Sequence, residues 1–229
     1  MHLRNDKFPS RLIGLDSFYT GIGRDMVFEH KFQNRLFFTP IYGFKLNLSE
    51  SYIAELIQAS HQLYLEKGIY QEYRSTRDAF QSQDDIHNHP LFKEFFDVIL
   101  QGFGEVVCKD YQIVVEDRPN LFVKKAWINV NPTGGYNVIH NHPNAFFSGV
   151  YYLQAEENSG EIVFLNPVGE QGLTIPQQLI NKGSMYTSDR YLYSPKQDLL
   201  LLFPAYLNHY VHPNQSSQER ICIAFNIGI

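Results

Sequence analysis

Three histidines in the C-terminal half of the chain have types and spacing that suit a metal site. His140 and His142 lie two residues apart in the segment HNHP, and His209 lies far along the chain in LFPAYLNHYVHP. In an extended segment, residues i and i+2 point to the same side, so His140 and His142 can present two imidazoles to one ion. His209 follows an apolar run and Pro204, which places it near the start of a strand, whereas His212 is out of phase with it. The pattern predicts a metal centre of three imidazoles, provided that the fold brings the two segments together.

The elements that must do so are short strands. Apolar or alternating runs occur from residue 111 onward, each bounded by Pro, Gly, Asn or Asp, as is typical of strands separated by turns. The runs are YQIVVE, FVKKAWINVN, FFSGVYYLQ, GEIVFLN, DLLLLFP and RICIAFN. Helical patterns precede the strands and do not alternate with them, which argues against a doubly wound sheet. We predict a mainly β fold with N-terminal helices, a double-stranded β-helix of the jelly-roll, cupin-like type.

Two helices are predicted before the strands. Ser49 can cap a helix that ends near Lys67. Pro90 begins a second helix, whose apolar residues repeat at three- and four-residue spacing until Gly102 and Gly104 weaken the pattern. A second HNHP segment precedes this helix, so we expect Asn88 or His89 to be a helix cap there and not a metal ligand.

The domain prediction is a single domain over residues 1–229. Residues 1–110 form an N-terminal extended segment with supporting helices, and residues 111–229 form the jelly-roll core. A long stretch at about 166–198 is predicted to be a loop, and loops of this length are often lids or binding loops. Within it we expect Tyr186, Arg190 and Tyr191 to select the substrate.

Composition excludes several classes of protein. The 229 residues carry a net charge of −5, which argues against nucleic acid as a partner. No apolar stretch is long enough to cross a membrane, and the two cysteines cannot make a disulfide framework. A soluble, cytoplasmic protein is expected, with a homodimer as one possible state.

The segment AWINVNPTGGYNVIHNHPNAFFSGVYYL, together with GEIVFLNP, LLLFPAYLNHYVHP and RICIAFN, resembles the core of the 2-oxoglutarate- and Fe(II)-dependent oxygenases. More narrowly, it resembles a family of oxygenases in which His-x-His-Pro precedes Ser-Gly-Val-Tyr-Tyr. The resemblance covers roughly residues 120 to 228. It implies Fe(II), 2-oxoglutarate and O2 as cofactors, with hydroxylation of a substrate and release of succinate and CO2.

The resemblance also assigns roles to individual residues. It implies His140, His142 and His209 as metal ligands and Arg220 as the residue that binds the 2-oxoglutarate tail. A guanidinium can grip a buried carboxylate at two points, which Lys cannot do. Tyr152 is a candidate to reach the same carboxylate.

Asn129 and Asn131, which share one face of a predicted strand, are candidates to line the cosubstrate pocket.

His142 departs from the superfamily, which usually has Asp or Glu at this position. Three neutral imidazoles supply no negative charge to offset the ion, so more of the charge balance falls to the cosubstrate. We expect weaker binding of iron before the cosubstrate arrives and easier capture of nickel, copper or zinc. Glu161 is left open as a substitute ligand.

Three other functions remain open from the sequence. They are a three-histidine dioxygenase of cupin type that uses no oxo acid, a jelly-roll binding module without catalysis, and an assembly protein. The substrate is not indicated beyond a peptide, a protein or a small metabolite.

Overall fold

Two antiparallel β-sheets form the framework of the protein, seen here in a computed structural model that describes residues 39–67, 74–113, 121–169, 175, 184 and 187–229. In the major sheet the strand order is β1(Tyr42–Lys45), β9(Leu199–Pro204), β6(Phe147–Gln154), β11(Arg220–Gly228), β4(Phe122–Asn131) and β3(Phe80–Gln81). In the minor sheet the order is β2(Thr76–Arg77), β5(Tyr136–His140), β10(His209–Val211), β7(Ile162–Leu165) and β8(Arg190–Tyr193). The predicted mainly β, double-stranded β-helix architecture is confirmed.

Two helices cover one face of the major sheet. The helix α1(Glu50–Lys67) has Ser49 at its start, where the Ser49 hydroxyl accepts a hydrogen bond from the Tyr52 N–H. The helix α2(Pro90–Asp110) is capped by His89, whose ring nitrogen accepts from the Leu91 N–H at 3.2 Å. Both helix predictions and the capping role of His89 are therefore confirmed.

Side-chain alternation on the central strand β11 divides the interior into two layers. Ile221, Ile223 and Phe225 join the core that packs against the buried face of α2. Burying each large apolar side chain contributes about 1.5–3 kcal/mol. Their neighbours Arg220 and Cys222 point the other way, toward the minor sheet, because successive strand residues face opposite sides. The site thus lies between the sheets, on the side away from the helices.

Three sequence predictions differ from the structure. α2 continues past Gly102 and Gly104, since an isolated glycine in a helix costs only about 1 kcal/mol. The predicted strand YQIVVE begins with Tyr111 and Gln112, which form a turn after α2, and residues 114–116 of that run lie outside the described residues.

The third difference is in the predicted loop at 166–198, which contains the edge strand β8. Its residues RYLY are mostly exposed and lack alternation, so the strand is set by pairing with β7 and not by a sequence pattern. The described elements lie in the unit Pro40–Ile229. The single domain over 1–229 stays a prediction, because residues 1–38 lie outside the described part.

In the described ranges, neither helix has the length and apolar character that a bilayer crossing requires.

Candidate metal centre

Strand pairing brings together the two histidine segments that are distant in sequence. His140 ends β5 and His209 begins β10, and the two residues are direct partners in the antiparallel register. Their ring centroids lie 4.3 Å apart. Directly opposite residues of neighbouring strands hold their side chains on one face of the sheet, so both imidazoles point into the same space.

His142 completes the group from the turn after β5. Its backbone N–H donates to the Ala205 carbonyl at 2.9 Å, which fixes this turn against the end of β9. Its ring centroid is 5.0 Å from that of His140 and 5.2 Å from that of His209. One ring nitrogen from each of the three lies within 4.8 Å of the other two. We call His140, His142 and His209 the histidine cluster.

Two of the three imidazoles are held in one tautomer by the backbone. The Nδ1 of His140 lies 2.8 Å from the Val138 carbonyl, and the Nδ1 of His209 lies 2.8 Å from the Leu207 carbonyl. A carbonyl can only accept, so each Nδ1 carries the proton and donates it. Each Nε2 then keeps a free lone pair, which is the arrangement that metal-binding histidines require.

Burial keeps the cluster neutral. Desolvation lowers the pKa of His140 and, with the nearby His140 ring, lowers the pKa of His142 to about 3. The pKa of His209 falls well below its usual value because of burial and the two neighbouring imidazoles. Three unprotonated imidazoles in one space are a suitable donor set for a first-row transition metal.

Arg220 supplies a buried positive charge in the same cavity. The side chain is 1 % exposed, and its Nη1 donates to the Ser159 carbonyl and, at 3.0 Å, to the Gly160 carbonyl. Desolvation lowers its pKa, and its charged form is favoured by Cys222 and Tyr152. No described carboxylate forms an ion pair with it. A buried cation normally has an anionic partner, so this environment suits a carboxylate ligand.

The neighbouring strands β4, β11 and β6 place further polar side chains beside Arg220. In register, Asn131 lies opposite Arg220, and Cys222 lies between Asn129 and Tyr152. Tyr152 is buried, and that burial raises the pKa of its phenol, so it remains a hydrogen-bond donor at any physiological pH. The structure therefore brings all four predicted cosubstrate residues onto one face of the major sheet.

The side-chain amide of Asn131 lies opposite Arg220 in register but is not among the described residues that line the inner cavity. It is fully buried, and neither its Oδ1 nor its Nδ2 has a hydrogen-bond partner among the described residues. An unpaired buried amide costs about 1–3 kcal/mol. The three imidazoles and the buried charge of Arg220, which no described carboxylate balances, fit an anionic cosubstrate next to a metal.

Other predicted residues lie elsewhere. The Oε2 of Glu161 lies 3.0 Å from His212 Nδ1, and Glu161 is outside the histidine cluster. Arg190 and Tyr191 lie on the edge strand β8, and the described linings of the two cavities at the cluster contain no residue of that strand. Tyr186 lies outside the described residues, so the substrate-selecting loop stays a prediction.

Two residues at the site were not assigned a role from the sequence. Trp127, the single tryptophan of the chain, is buried with its ring 5.6 Å from that of His142. Its alternation with Asn129 and Asn131 on one strand was an available signal. The Ser75 hydroxyl lies 3.4 Å from His140 Nε2, and it comes from the segment before β2, where no pattern indicated it.

The cluster lies between two spaces. The inner cavity contains Arg220 and Tyr152. An outer cleft of about 660 Å³ opens to the surface and is lined by His140, His142 and Trp127, which also line the inner cavity. The inner cavity, with a volume of about 50 Å³, places the positive charge of Arg220 beside the imidazoles, and the outer cleft connects His140 and His142 to the surface.

Comparison with known proteins agrees with this site. Residues 125–226 match a family described as "Putative 2OG-Fe(II) oxygenase". The matched range contains the histidine cluster and the four predicted cosubstrate residues. The predicted class, a 2-oxoglutarate- and Fe(II)-dependent oxygenase, is thereby confirmed. A comparison with curated proteins gives no match.

Solved structures share the fold at low sequence identity. The carbocyclase SnoK from nogalamycin biosynthesis, described as non-heme and alpha-ketoglutarate dependent, has a TM-score of 0.57 and 11 % identity over 82 % of this chain and 79 % of its own. A Pseudomonas putida prolyl-4-hydroxylase has a TM-score of 0.54 and 13 % identity over 83 % of this chain and 92 % of its own.

A third similar structure is HygX from Streptomyces hygroscopicus, with nickel, 2-oxoglutarate and hygromycin B bound. It has a TM-score of 0.57 and 10 % identity over 83 % of both chains. At these identities the likeness supports the double-stranded β-helix fold.

Proposed function

We propose that this protein hydroxylates a C–H bond of its substrate, with Fe(II) held by the histidine cluster and 2-oxoglutarate held by Arg220. The observation that carries the assignment is the position of Arg220, buried and without a carboxylate partner among the described residues, in the cavity that also contains all three imidazoles. A dioxygenase that used no oxo acid would have no need for a buried guanidinium there.

Each side chain has a distinct part in this proposal. The Nε2 atoms of His140 and His209 and one ring nitrogen of His142 would hold the ion. Arg220 binds the distal carboxylate of 2-oxoglutarate, and the Tyr152 hydroxyl donates a further hydrogen bond to it. When bound, Fe(II) and 2-oxoglutarate supply the oxidising chemistry, with succinate and CO2 as coproducts.

Apolar side chains close the cavity around these polar groups. Val150, Ile162 and Phe203 line it and are buried. They exclude water, which protects an oxidant from side reactions and strengthens the electrostatic contacts. The chain thus binds and orients the cofactors and excludes water from the cavity, while the cofactors supply the reactive chemistry.

The test is an anaerobic titration of metal-free protein with Fe(II) and then 2-oxoglutarate, followed by the weak visible charge-transfer band of the ternary complex. We expect the band in the wild type and in His212→Gln, which alters a histidine outside the cluster. His209→Ala should lose it. Arg220→Lys should require roughly tenfold or more 2-oxoglutarate, because one two-point contact is lost.

Absence of the band in folded, iron-loaded protein would overturn the proposal. The three-imidazole donor set favours one alternative, the cupin-type dioxygenase without an oxo acid. In that case Arg220→Lys would leave metal binding and turnover unchanged, and no succinate would form from 2-oxoglutarate under air.

A further inference from the structure

The outer cleft next to the histidine cluster carries an excess of positive charge. The described residues that line it include three cations, Arg74, Lys124 and Lys125, and a single carboxylate, that of Asp84. The whole chain has a net charge of −5, so this region is opposite in sign to the molecule. A cleft lined by one sign of charge raises the local concentration of ligands of the other sign.

These cations are placed by the same strands that build the inner cavity. Asn226 on β11 lies opposite Lys125 on β4, on the same sheet face as Trp127. Arg220 lies on this face too, six residues before Asn226 on β11. A rise of about 3.3 Å per residue separates the two ends of this face by about 20 Å. The face therefore has Arg220 at its inner end, Trp127 along its length and Lys125 at its outer end, and the histidine cluster lines the adjoining cavity.

The carboxylate of Asp84 orients the outer cations without removing the excess. Its Oδ2 lies 3.0 Å from Lys125 Nζ, and its Oδ1 lies 3.6 Å from an Arg74 nitrogen. Lys124 Nζ donates to the Asn144 carbonyl at 2.6 Å, and this contact leaves its charge uncompensated. Lys124 and Lys125 together therefore carry one positive charge more than the carboxylate of Asp84 balances.

We propose that the substrate carries an oxyanion, a carboxylate or a phosphate group, which Lys125, Arg74 and Lys124 bind at the mouth of the cleft. This inference rests on the proposed function and names its substrate class. The substrate spans from the oxyanion at the cleft mouth to a C–H bond beside His140 and His142. Trp127, buried at the junction of the two spaces, packs against the part in between.

The experiment uses the full chain loaded with Mn(II) and saturated with 2-oxoglutarate, so that the inner cation is already occupied. Two probes are added separately: inorganic phosphate, followed by ³¹P relaxation, and N-acetylglycine, followed by methyl proton relaxation. N-acetylglycinamide is the neutral control. A probe bound in the cleft lies near the paramagnetic ion and shows saturable relaxation enhancement, and the probe that binds more tightly identifies the oxyanion as phosphate or carboxylate.

Matched variants give opposite expected changes. Lys125→Met should weaken anion binding roughly fivefold, a change of about 1 kcal/mol, which is the Coulomb energy of an exposed pair at contact distance. Asp84→Asn should tighten binding by a similar factor, because it removes the competing carboxylate. Lys93→Met, an exposed residue of α2 on the opposite side of the major sheet, should have no effect. Anion binding should also weaken as ionic strength rises.

The proposal is overturned if neither anion binds or if Lys125→Met and Lys93→Met behave alike. Should Asp84→Asn fail to fold, the double variant Lys124→Met/Lys125→Met provides the same test. The charge-transfer band and substrate-independent succinate formation do not depend on these cations. If both persist while the probes do not bind, the cleft proposal fails and the proposed function remains.

Discussion

His140 and His209 are direct partners on neighbouring antiparallel strands, with Nδ1 of each ring donating to the carbonyl two residues before it. The backbone therefore determines both the position and the tautomer of two imidazoles. His142 is held differently, by a backbone hydrogen bond in a turn and by contact of its ring with Trp127. This difference makes His142 the position at which the donor set can best be altered.

We expect His142→Ala to lower Fe(II) affinity by roughly 100-fold. Mutation of a group that only orients a metal ligand already lowers metal affinity about 10- to 100-fold, and His142 is proposed as a ligand itself. His142→Asp should recover binding and shift preference from nickel toward iron, because a carboxylate offsets the charge of the ion. Competition with a chromogenic chelator measures both constants. Unchanged affinity in His142→Ala would exclude this imidazole as a ligand.

The metal-free protein should lose stability as pH falls below about 6.5. The pKa of each cluster imidazole is lowered in the folded state, to about 3 for His142. The unfolded chain therefore binds protons that the folded chain does not, and folding is disfavoured as pH falls from 6.5 toward the folded pKa. Between pH 7 and 5.5 the expected loss is about 1 kcal/mol from His142, and the lowered pKa values of His140 and His209 add to it.

Urea denaturation at the two pH values, with a chelator present, measures this loss. His142→Gln should remove the contribution of His142, about 1 kcal/mol. Carboxylates of lowered pKa such as Glu161, whose ordinary value is 4.5, contribute only at lower pH. An identical loss in wild type and variant would contradict the assignment to the cluster.

Gly160→Ala should weaken 2-oxoglutarate binding. Gly160 has φ +91°, and an added Cβ would clash with the His212 carbonyl and lie 2.7 Å from Arg220 Nη1. Gly134 is the matched control, because it has φ +90° and no atom within 4 Å of such a Cβ. Both variants incur the backbone strain of about 1 kcal/mol, but Gly160→Ala also displaces Arg220.

We expect about a tenfold increase in the 2-oxoglutarate dissociation constant for Gly160→Ala and no change for Gly134→Ala. Calorimetric titration of the metal-loaded proteins gives both values. Equal affinities in the two variants would show that the position of Arg220 does not depend on Gly160.

Asp198 is expected to be a major contributor to fold stability. Its carboxylate accepts from the Tyr151 hydroxyl at 2.9 Å and from the Asn47 N–H at 3.1 Å, and its φ is +66°. Asp198→Ala leaves a buried phenol unpaired and strains the backbone, so a loss of about 2–4 kcal/mol in unfolding free energy is expected. Asp198→Asn should lose less, because Asn tolerates positive φ.

Urea denaturation measures these losses, with Asp97→Ala, an exposed residue of α2, as the control. A change within about 0.5 kcal/mol is expected for that control. If Asp198→Ala were equally mild, the two hydrogen bonds would not link β1, β6 and β9 as the structure indicates.

Local patterns in the sequence were enough to predict α1, α2 and five of the strand runs, because periodicity of apolar residues and turn signals act over short distances. The edge strand β8 and the end of α2 were not predicted correctly. Pairing partners and helix packing decide such elements, and neither is visible in a short window of sequence.

For the candidate site as well, the sequence indicated some features and the tertiary structure decided the others. Residue types and spacing indicated His140 and His142 as a pair of ligands, geometry together with the resemblance indicated His209, and the resemblance indicated Arg220 and Tyr152. Tertiary structure decided that β5 and β10 are neighbours, that Glu161 pairs with His212, and that Ser75 and Trp127 adjoin the cluster. The reason is physical: side-chain chemistry is a property of each residue, whereas adjacency depends on strand order and register, which non-local packing selects.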